Sequence, residues 1–154
     1  MLILAVMGWG KPVPDLIEQA RAANHGVTSL TVDELQHMLA VPGRHTVVVV
    51  MAAWCAPCIE ELPDLVDIYR KYQGEDLNLI GLSIDYAGPQ AMDPILKEQG
   101  VTFPVFWTGE AAIEAYDIQK IPLVMMVKDG RVVERLVGMR SAKELEAVIV
   151  EFMR

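Results

Sequence analysis

The run Trp54-Cys55-Ala56-Pro57-Cys58 follows directly after the apolar stretch from Thr46 to Ala53. An apolar stretch without polar alternation is typical of a central strand that is covered on both faces. A strand that delivers a thiol onto the first turn of a helix makes that sulfur reactive, because the helix-start amides favour the thiolate. A second thiol one turn later can close a disulfide with it. The spacing alone also fits a metal site, so other features of the chain are needed to distinguish a redox dithiol from a metal site.

Length and charge narrow the classes of function. At 154 residues the chain fits one domain with a single core. Its net charge of −8, from 13 basic and 21 acidic residues, argues against a nucleic-acid partner, because a phosphate-binding face needs an excess of Lys and Arg. The chain starts with seven apolar residues, far short of the roughly 20 that a membrane span needs. We therefore expect no membrane span. We interpret these first residues as a strand or terminus, with a clipped export signal or anchor remnant as the alternative.

Around the central strand, helical and strand patterns alternate along the chain. Two helices are expected before it, one from Pro12 to Gly26 and one that opens with the capping-box pattern Thr31-Val32-Asp33-Glu34. The elements expected after it are a helix from Cys58 to Tyr72, a strand from Leu77 to Ile84, a helix from Pro89 to Gln99, a strand from Phe103 to Trp107, a helix from Glu110 to Tyr116, a hairpin from Leu123 to Val137 around Asp129-Gly130, and a last helix capped by Ser141. This order predicts an α/β sandwich with a mixed central sheet.

The element order and a set of short motifs resemble one protein family. The chain is similar to the thioredoxin-fold thiol–disulfide oxidoreductases, and within them to the TlpA/ResA-like branch. The matching residues are Trp54-Cys55-Ala56-Pro57-Cys58, Glu61, Pro63, Phe103-Pro104-Val105, Ala115-Tyr116, Ile121-Pro122, Lys128-Asp129-Gly130 and Val137-Gly138. The resemblance implies a thioredoxin-like three-layer sandwich at residues 29–154, with an inserted helix and strand between Pro89 and Trp107. Residues 1–28 are expected to be an N-terminal extension with a short helix.

The resemblance implies an enzyme that exchanges electrons with protein disulfides through the Cys55/Cys58 dithiol, as a reductant and without a prosthetic group or metal. Glu61, one turn past Cys58, is then a candidate proton acceptor. The substrate-binding candidates are Trp54, Pro57, Ile121 and Pro122, and the Ile121–Pro122 bond is expected to be cis.

The resemblance also implies the setting of the reaction. In this branch the reduced form commonly serves cytochrome c maturation or other exported-protein thiols, with electrons from a membrane donor. We therefore expect protein thiols and disulfides as partners, a donor of unknown identity, and a monomer. The expected location is extracytoplasmic or periplasmic in a bacterium, with a cytoplasmic location as the alternative.

Departures from the family pattern leave other interpretations open. Val49 stands where thioredoxins proper carry a buried aspartate, and Asp117 and Lys120 replace small residues usual in the branch. One alternative is a thioredoxin-like binding module with a vestigial dithiol. A zinc site would need ligands from His25, His37 and His45, none of which has finger-like spacing. A thiol peroxidase is disfavoured because Ala52 stands where peroxiredoxins place Thr or Ser.

Overall fold

The computed structural model describes residue 20 and residues 26–154. Of the helix expected from Pro12 to Gly26, only its residues Ala20 and Gly26 are therefore described. Ala20 is helical and buried, whereas Gly26 is not helical. The rest of that expected helix, and the apolar start of the chain, lie outside the described residues.

A six-stranded mixed sheet organises the described part of the chain. Its elements in chain order are β1 (Val27–Ser29), α1 (Val32–Leu39), β2 (His45–Met51), α2 (Ala56–Tyr72), β3 (Asn78–Ser83), a 3-10 turn (Pro89–Met92), α3 (Asp93–Glu98), β4 (Val105–Trp107), α4 (Ala111–Ala115), β5 (Leu123–Lys128), β6 (Arg131–Val137) and α5 (Ala142–Met153). The strand order is β1-β4-β3-β2-β5-β6, in which the first four strands are parallel to one another and β5 is antiparallel to both of its neighbours, β2 and β6. This is the expected thioredoxin-like α/β fold.

The structure refines two expected boundaries. Residues 27 and 28, which the sequence suggested as the end of an extension, pair with β4 as part of β1. The inserted helix expected from Pro89 to Gln99 is divided into a 3-10 turn and the short helix α3. Pro94 lies in the first turn of α3, where a missing N–H is tolerated, and this favours a new helix start at that point.

Strand β2 lies at the centre of the fold, as its apolar run predicts. Every residue from Val47 to Ala52 is buried. Because successive side chains of a strand point to opposite faces, both faces of the sheet must be covered by helices. Helix α2 packs against α5, where the Tyr72 hydroxyl donates a hydrogen bond of 2.6 Å to the Glu146 carboxylate, and α1 packs against α4. The result is a layer of helices on each side of the sheet.

Gly81 is the glycine of strand β3, next to Val49 of β2 and Val105 of β4. A Cβ added there would lie 2.7 Å from Met51 Cε and 2.9 Å from Val105 Cγ2. Both distances are shorter than van der Waals contact, so only a glycine lets these side chains pack over the strand. This close packing holds β2, β3 and β4 together beneath the segments that follow them.

Local signals in the sequence are reproduced at the turn and caps. Asp129 and Gly130 both have positive φ angles, 51° and 77°, as the two-residue hairpin turn of the preferred type requires. Thr31 and Ser141 each form a capping box with the glutamate three residues later. None of the helices among residues 26–154 is long and apolar enough to cross a lipid bilayer.

Candidate active site

The two cysteines lie at the carboxyl edge of the parallel strands. Strands β2 and β3 run parallel with Met51 opposite Ser83, so the segments that follow them leave the sheet side by side. In open α/β sheets this edge is where functional sites form. Cys55 is the N-cap of α2, and its Sγ accepts a hydrogen bond of 3.4 Å from the Cys58 backbone N–H. The sequence therefore places the first sulfur where the helix amides stabilise negative charge.

Cys55 and Cys58 form a disulfide, with their Cα atoms 5.3 Å apart. Cys55 keeps 5% of its surface exposed and Cys58 keeps 3%. The bond is therefore nearly covered, and a partner has to make close contact with the surrounding surface to reach the sulfur of Cys55. Trp54 directly precedes Cys55 and Pro57 lies between the two cysteines, and both residues are exposed.

The Ile121–Pro122 segment lies at the same edge of the sheet. Strand β5 runs antiparallel to β2, with Leu123 opposite Val50, so the residues before Leu123 lie beside the carboxyl end of β2. The Ile121–Pro122 peptide bond is cis. Pro122 is buried and its carbonyl accepts a 2.8 Å hydrogen bond from the Gly138 N–H, whereas Ile121 is partly exposed. The topology thus brings this segment to the same edge of the sheet as the disulfide.

Glu61 is a buried carboxylate on α2, one turn beyond Cys58. It is 2% exposed, and its Oε2 accepts a 2.9 Å hydrogen bond from the Arg140 backbone N–H. Burial raises the pKa of the Glu61 carboxyl, the Arg140 N–H partly offsets that shift, and the nearby Asp64 charge adds to it. An ionised Glu61 is therefore less stable here than in water.

We expect the unfolding free energy of oxidised Glu61→Gln, relative to that of the oxidised wild type, to increase as the pH rises. Since the native pKa is raised, the contribution of Glu61 to stability is fully present below the unfolded pKa of ~4.3 and is lost as the pH rises through the native value. Glutamine does not ionise, so the variant does not lose stability in this way. Urea unfolding of both oxidised proteins across about pH 3 to 7 gives the slope of the difference.

Glu144→Gln serves as the matched control for that experiment. Hydrogen bonds from the Ser141 hydroxyl and backbone N–H lower the pKa of this capping carboxyl, so its contribution is lost as the pH falls. Relative to wild type, Glu144→Gln should lose stability as the pH rises from about 3 towards the unfolded pKa of ~4.3 and change little above it, a slope opposite in sign to that of Glu61→Gln. Slopes of the same sign in the two variants would contradict the burial argument.

Asp85 is a buried carboxylate that sequence reasoning missed. It is 3% exposed and follows strand β3. Its two oxygens accept the Ala53 backbone N–H at 3.0 and 3.1 Å, and Oδ2 also accepts the Ser83 hydroxyl at 2.8 Å. The Asp85 carbonyl accepts the Trp107 indole N–H at 2.8 Å. Asp85 therefore ties the segment before the disulfide to the ends of β3 and β4.

Tyr86 is the second residue that sequence reasoning missed. Its ring stacks on the Trp54 indole, with ring centroids 6.2 Å apart and planes 10° apart. The two rings are 68% and 57% exposed, respectively. The signal that could have revealed both Asp85 and Tyr86 is their position directly after a buried strand that is parallel to β2, at the edge where Cys55 emerges.

The histidines considered for a zinc site do not gather around the cysteines where they are described. Within the described ranges, no group of three or more His, Cys, Asp or Glu side chains could hold a metal ion. The His37 ring contacts the Asp33 carbonyl at 2.7 Å, and the His45 ring contacts the Phe152 carbonyl at 3.1 Å. His25 lies outside the described residues.

Comparison with known proteins agrees with this geometry. The family model described as Redoxin matches residues 10–149. The thiol-disulfide oxidoreductase ResA of Bacillus thuringiensis (strain Al Hakam) is 28% identical over 130 residues, which cover 83% of this chain and 74% of that protein. The crystal structure of StoA from Bacillus subtilis aligns with a TM-score of 0.63 at 21% identity, covering 74% of this chain and 85% of that one. A thioredoxin-family thiol:disulfide interchange protein from Chlorobium tepidum TLS aligns with a TM-score of 0.66 at 23% identity, covering 77% and 85%. At these identities the two structures support the fold.

Proposed function

This chain belongs to the redoxin family and is a ResA-like thiol–disulfide oxidoreductase, and from that premise we propose that it reduces disulfides of other proteins. The observation that carries the proposal is the Cys55–Cys58 disulfide at the start of α2, at the edge of the sheet where the cis-proline segment also lies. A thiol pair that closes and opens at such a position passes two electrons without a prosthetic group. We infer none.

The proposed reaction has two exchange steps. The Cys55 thiolate attacks one sulfur of the partner's disulfide, forming a Cys55–partner disulfide and releasing the partner's other sulfur as a thiolate. The Cys58 thiolate then attacks the Cys55 sulfur, which forms the Cys55–Cys58 disulfide and releases the second partner thiolate. Two electrons pass to the partner, and an external dithiol of unknown identity must return them for the next cycle.

The order of attack follows from the positions of the sulfurs. Cys55 is the N-cap, where the amides at the start of α2 stabilise its thiolate and make it a good leaving group. Cys58 lies one turn inside the helix and needs a base to release its proton. Glu61 is one further turn along and has a raised carboxyl pKa, which makes it the proposed proton acceptor.

The partner is proposed to bind as an extended segment beside the disulfide. Ile121 precedes the cis bond and is partly exposed, so its backbone can pair with an incoming strand. Trp54 and Pro57 would border that segment on the side of α2, and Pro122 holds the loop in place. We propose a monomer that works outside the bacterial cytoplasm, where protein disulfides persist, with a cytoplasmic setting as the alternative.

Equilibration with a series of reduced and oxidised glutathione buffers tests the proposed direction of electron flow. A reductant is expected to have a midpoint more negative than about −230 mV, near the values of thioredoxin and the glutathione pool. The oxidised fraction is read by alkylation with a maleimide followed by mass spectrometry. A midpoint near the DsbA value of about −120 mV would show an oxidant instead.

An insulin-reduction assay distinguishes the proposed enzyme from a binding module with a vestigial dithiol. Reduction of insulin in the presence of dithiothreitol should be faster with the wild type than with Cys55→Ala. Equal rates with the two proteins would favour the module.

A further inference from the structure

We propose that the stacked rings of Trp54 and Tyr86, named here the aromatic shelf, bind an apolar side chain of the substrate polypeptide close to its disulfide. The inference rests on the proposed function and adds a specificity-determining residue, Tyr86, to the site. It assigns the enzyme a preference among protein disulfides, for those flanked by apolar residues.

The aromatic shelf is an unusual piece of surface for this chain. Large hydrophobic side chains that stay exposed within the described residues are Trp54, Tyr86, Val133, Val137 and Met139. The two aromatic ones are in contact with each other and begin one residue before the active disulfide. Exposed aromatic area that is concentrated at one point is typical of a binding surface, because rings contribute a large apolar contact with few rotatable bonds.

Hydrogen bonds to Asp85 fix the backbone segments that carry the aromatic shelf. Asp85 joins the two backbone segments that carry the rings, since it precedes Tyr86 and accepts the backbone N–H of Ala53, which precedes Trp54. The Ser83 hydroxyl and the Trp107 indole donate to the same residue. Both backbone segments are thus fixed to the sheet, and the rings present a preorganised surface that loses little conformational entropy on binding.

The reach of the aromatic shelf identifies its occupant. The Trp54 backbone adjoins Cys55, and the centroid of the Tyr86 ring lies 6.2 Å from that of Trp54. An extended chain advances about 3.3 Å per residue, so side chains roughly two to four positions from the attacked cysteine pass over the rings. The disulfide itself is nearly covered, so a substrate that reacts must approach this surface closely. The occupant is therefore the substrate segment that carries the cystine.

Two synthetic disulfide-linked peptide dimers test the inference. They are identical except that the residues two and four positions from each cysteine are leucine in one and serine in the other. The reduced protein is mixed with each peptide, and the second-order rate constant is measured by acid quench and chromatography of the released thiol. We expect the wild type to prefer the leucine peptide about fivefold, and Tyr86→Ala to lose that preference. Tyr86→Phe, which keeps the ring, should retain it.

Val133→Ala is the matched control, because Val133 is 58% exposed on strand β6 and belongs to no part of the site. Its preference for the leucine peptide should equal that of the wild type. Equal rates for both peptides with the wild type, or an unchanged preference in Tyr86→Ala, would overturn the inference while leaving the proposed function intact. No reduction of either peptide would overturn the proposed function and the inference with it.

A second copy of this chain is the other candidate for covering the rings. In that case the wild type would sediment as a dimer, Tyr86→Ala would sediment as a monomer, and the leucine preference would be absent. That result would also overturn the inference.

Discussion

Replacing Cys58 with serine should arrest the reaction at its midpoint, with Cys55 covalently joined to the partner. The attack by Cys55 remains, but the serine hydroxyl cannot displace the partner from the mixed disulfide. Multiple turnover should fall to the background rate of the buffer. The adduct should accumulate as one equivalent of partner per protein, measured by intact mass after mixing the reduced variant with a peptide disulfide.

Cys55→Ser is the matched control for that trap. It keeps one thiol, but that thiol is the one inside the helix, with 3% of its surface exposed. We expect it to form little or no adduct under the same conditions. Accumulation of adduct on Cys55→Ser, with none on Cys58→Ser, would reverse the proposed order of attack. Because serine has nearly the size of cysteine, both variants should keep the fold.

Replacing Asp85 with alanine should cost about 2–4 kcal/mol of unfolding free energy, because several hydrogen bonds to a buried carboxyl group are lost and their donors stay buried without an acceptor. The Ala53 N–H and the Ser83 hydroxyl would lose their acceptor, and Ser83 is completely buried. Urea unfolding of the oxidised protein measures the loss. Asp85→Asn keeps one carbonyl oxygen to accept these donors, so its loss should be smaller.

Asp67→Ala provides the comparison for Asp85. Asp67 is an exposed carboxylate on α2, and its replacement should change the unfolding free energy by no more than about 0.5 kcal/mol. A loss that small for Asp85→Ala as well would show that the hydrogen bonds around Ala53 are not important for stability. In that case Asp85 would not be the residue that fixes the aromatic shelf.

The sequence predicts the parts of this fold that depend on local signals. Patterns of only a few residues predict three of these parts: the unbroken apolar run of β2, the two capping boxes and the Asp129-Gly130 turn. The disulfide pair belongs to the same class, since a spacing of three within one helical turn brings the sulfurs together. These features also carry the family resemblance.

Other features of the site come from pairings between distant segments. Asp85 reaches Ala53 across 32 positions in the chain because β2 and β3 are parallel neighbours, and Glu61 meets Arg140 across 79. A single sequence does not show which residues of two distant segments will lie opposite each other. The division of the inserted helix was also missed, because Pro89 and Pro94 are each compatible with a helix start and the pattern does not choose between them.

The slight exposure of the Cys55–Cys58 bond has a kinetic consequence. Free thiols that collide at random with the molecule will meet the sulfur only rarely, however abundant they are. Shape, rather than thermodynamic driving force, then selects which molecules react. The bond still equilibrates with small thiols such as glutathione and dithiothreitol, but slowly, and it exchanges faster with a macromolecule whose contour fits the rim around it.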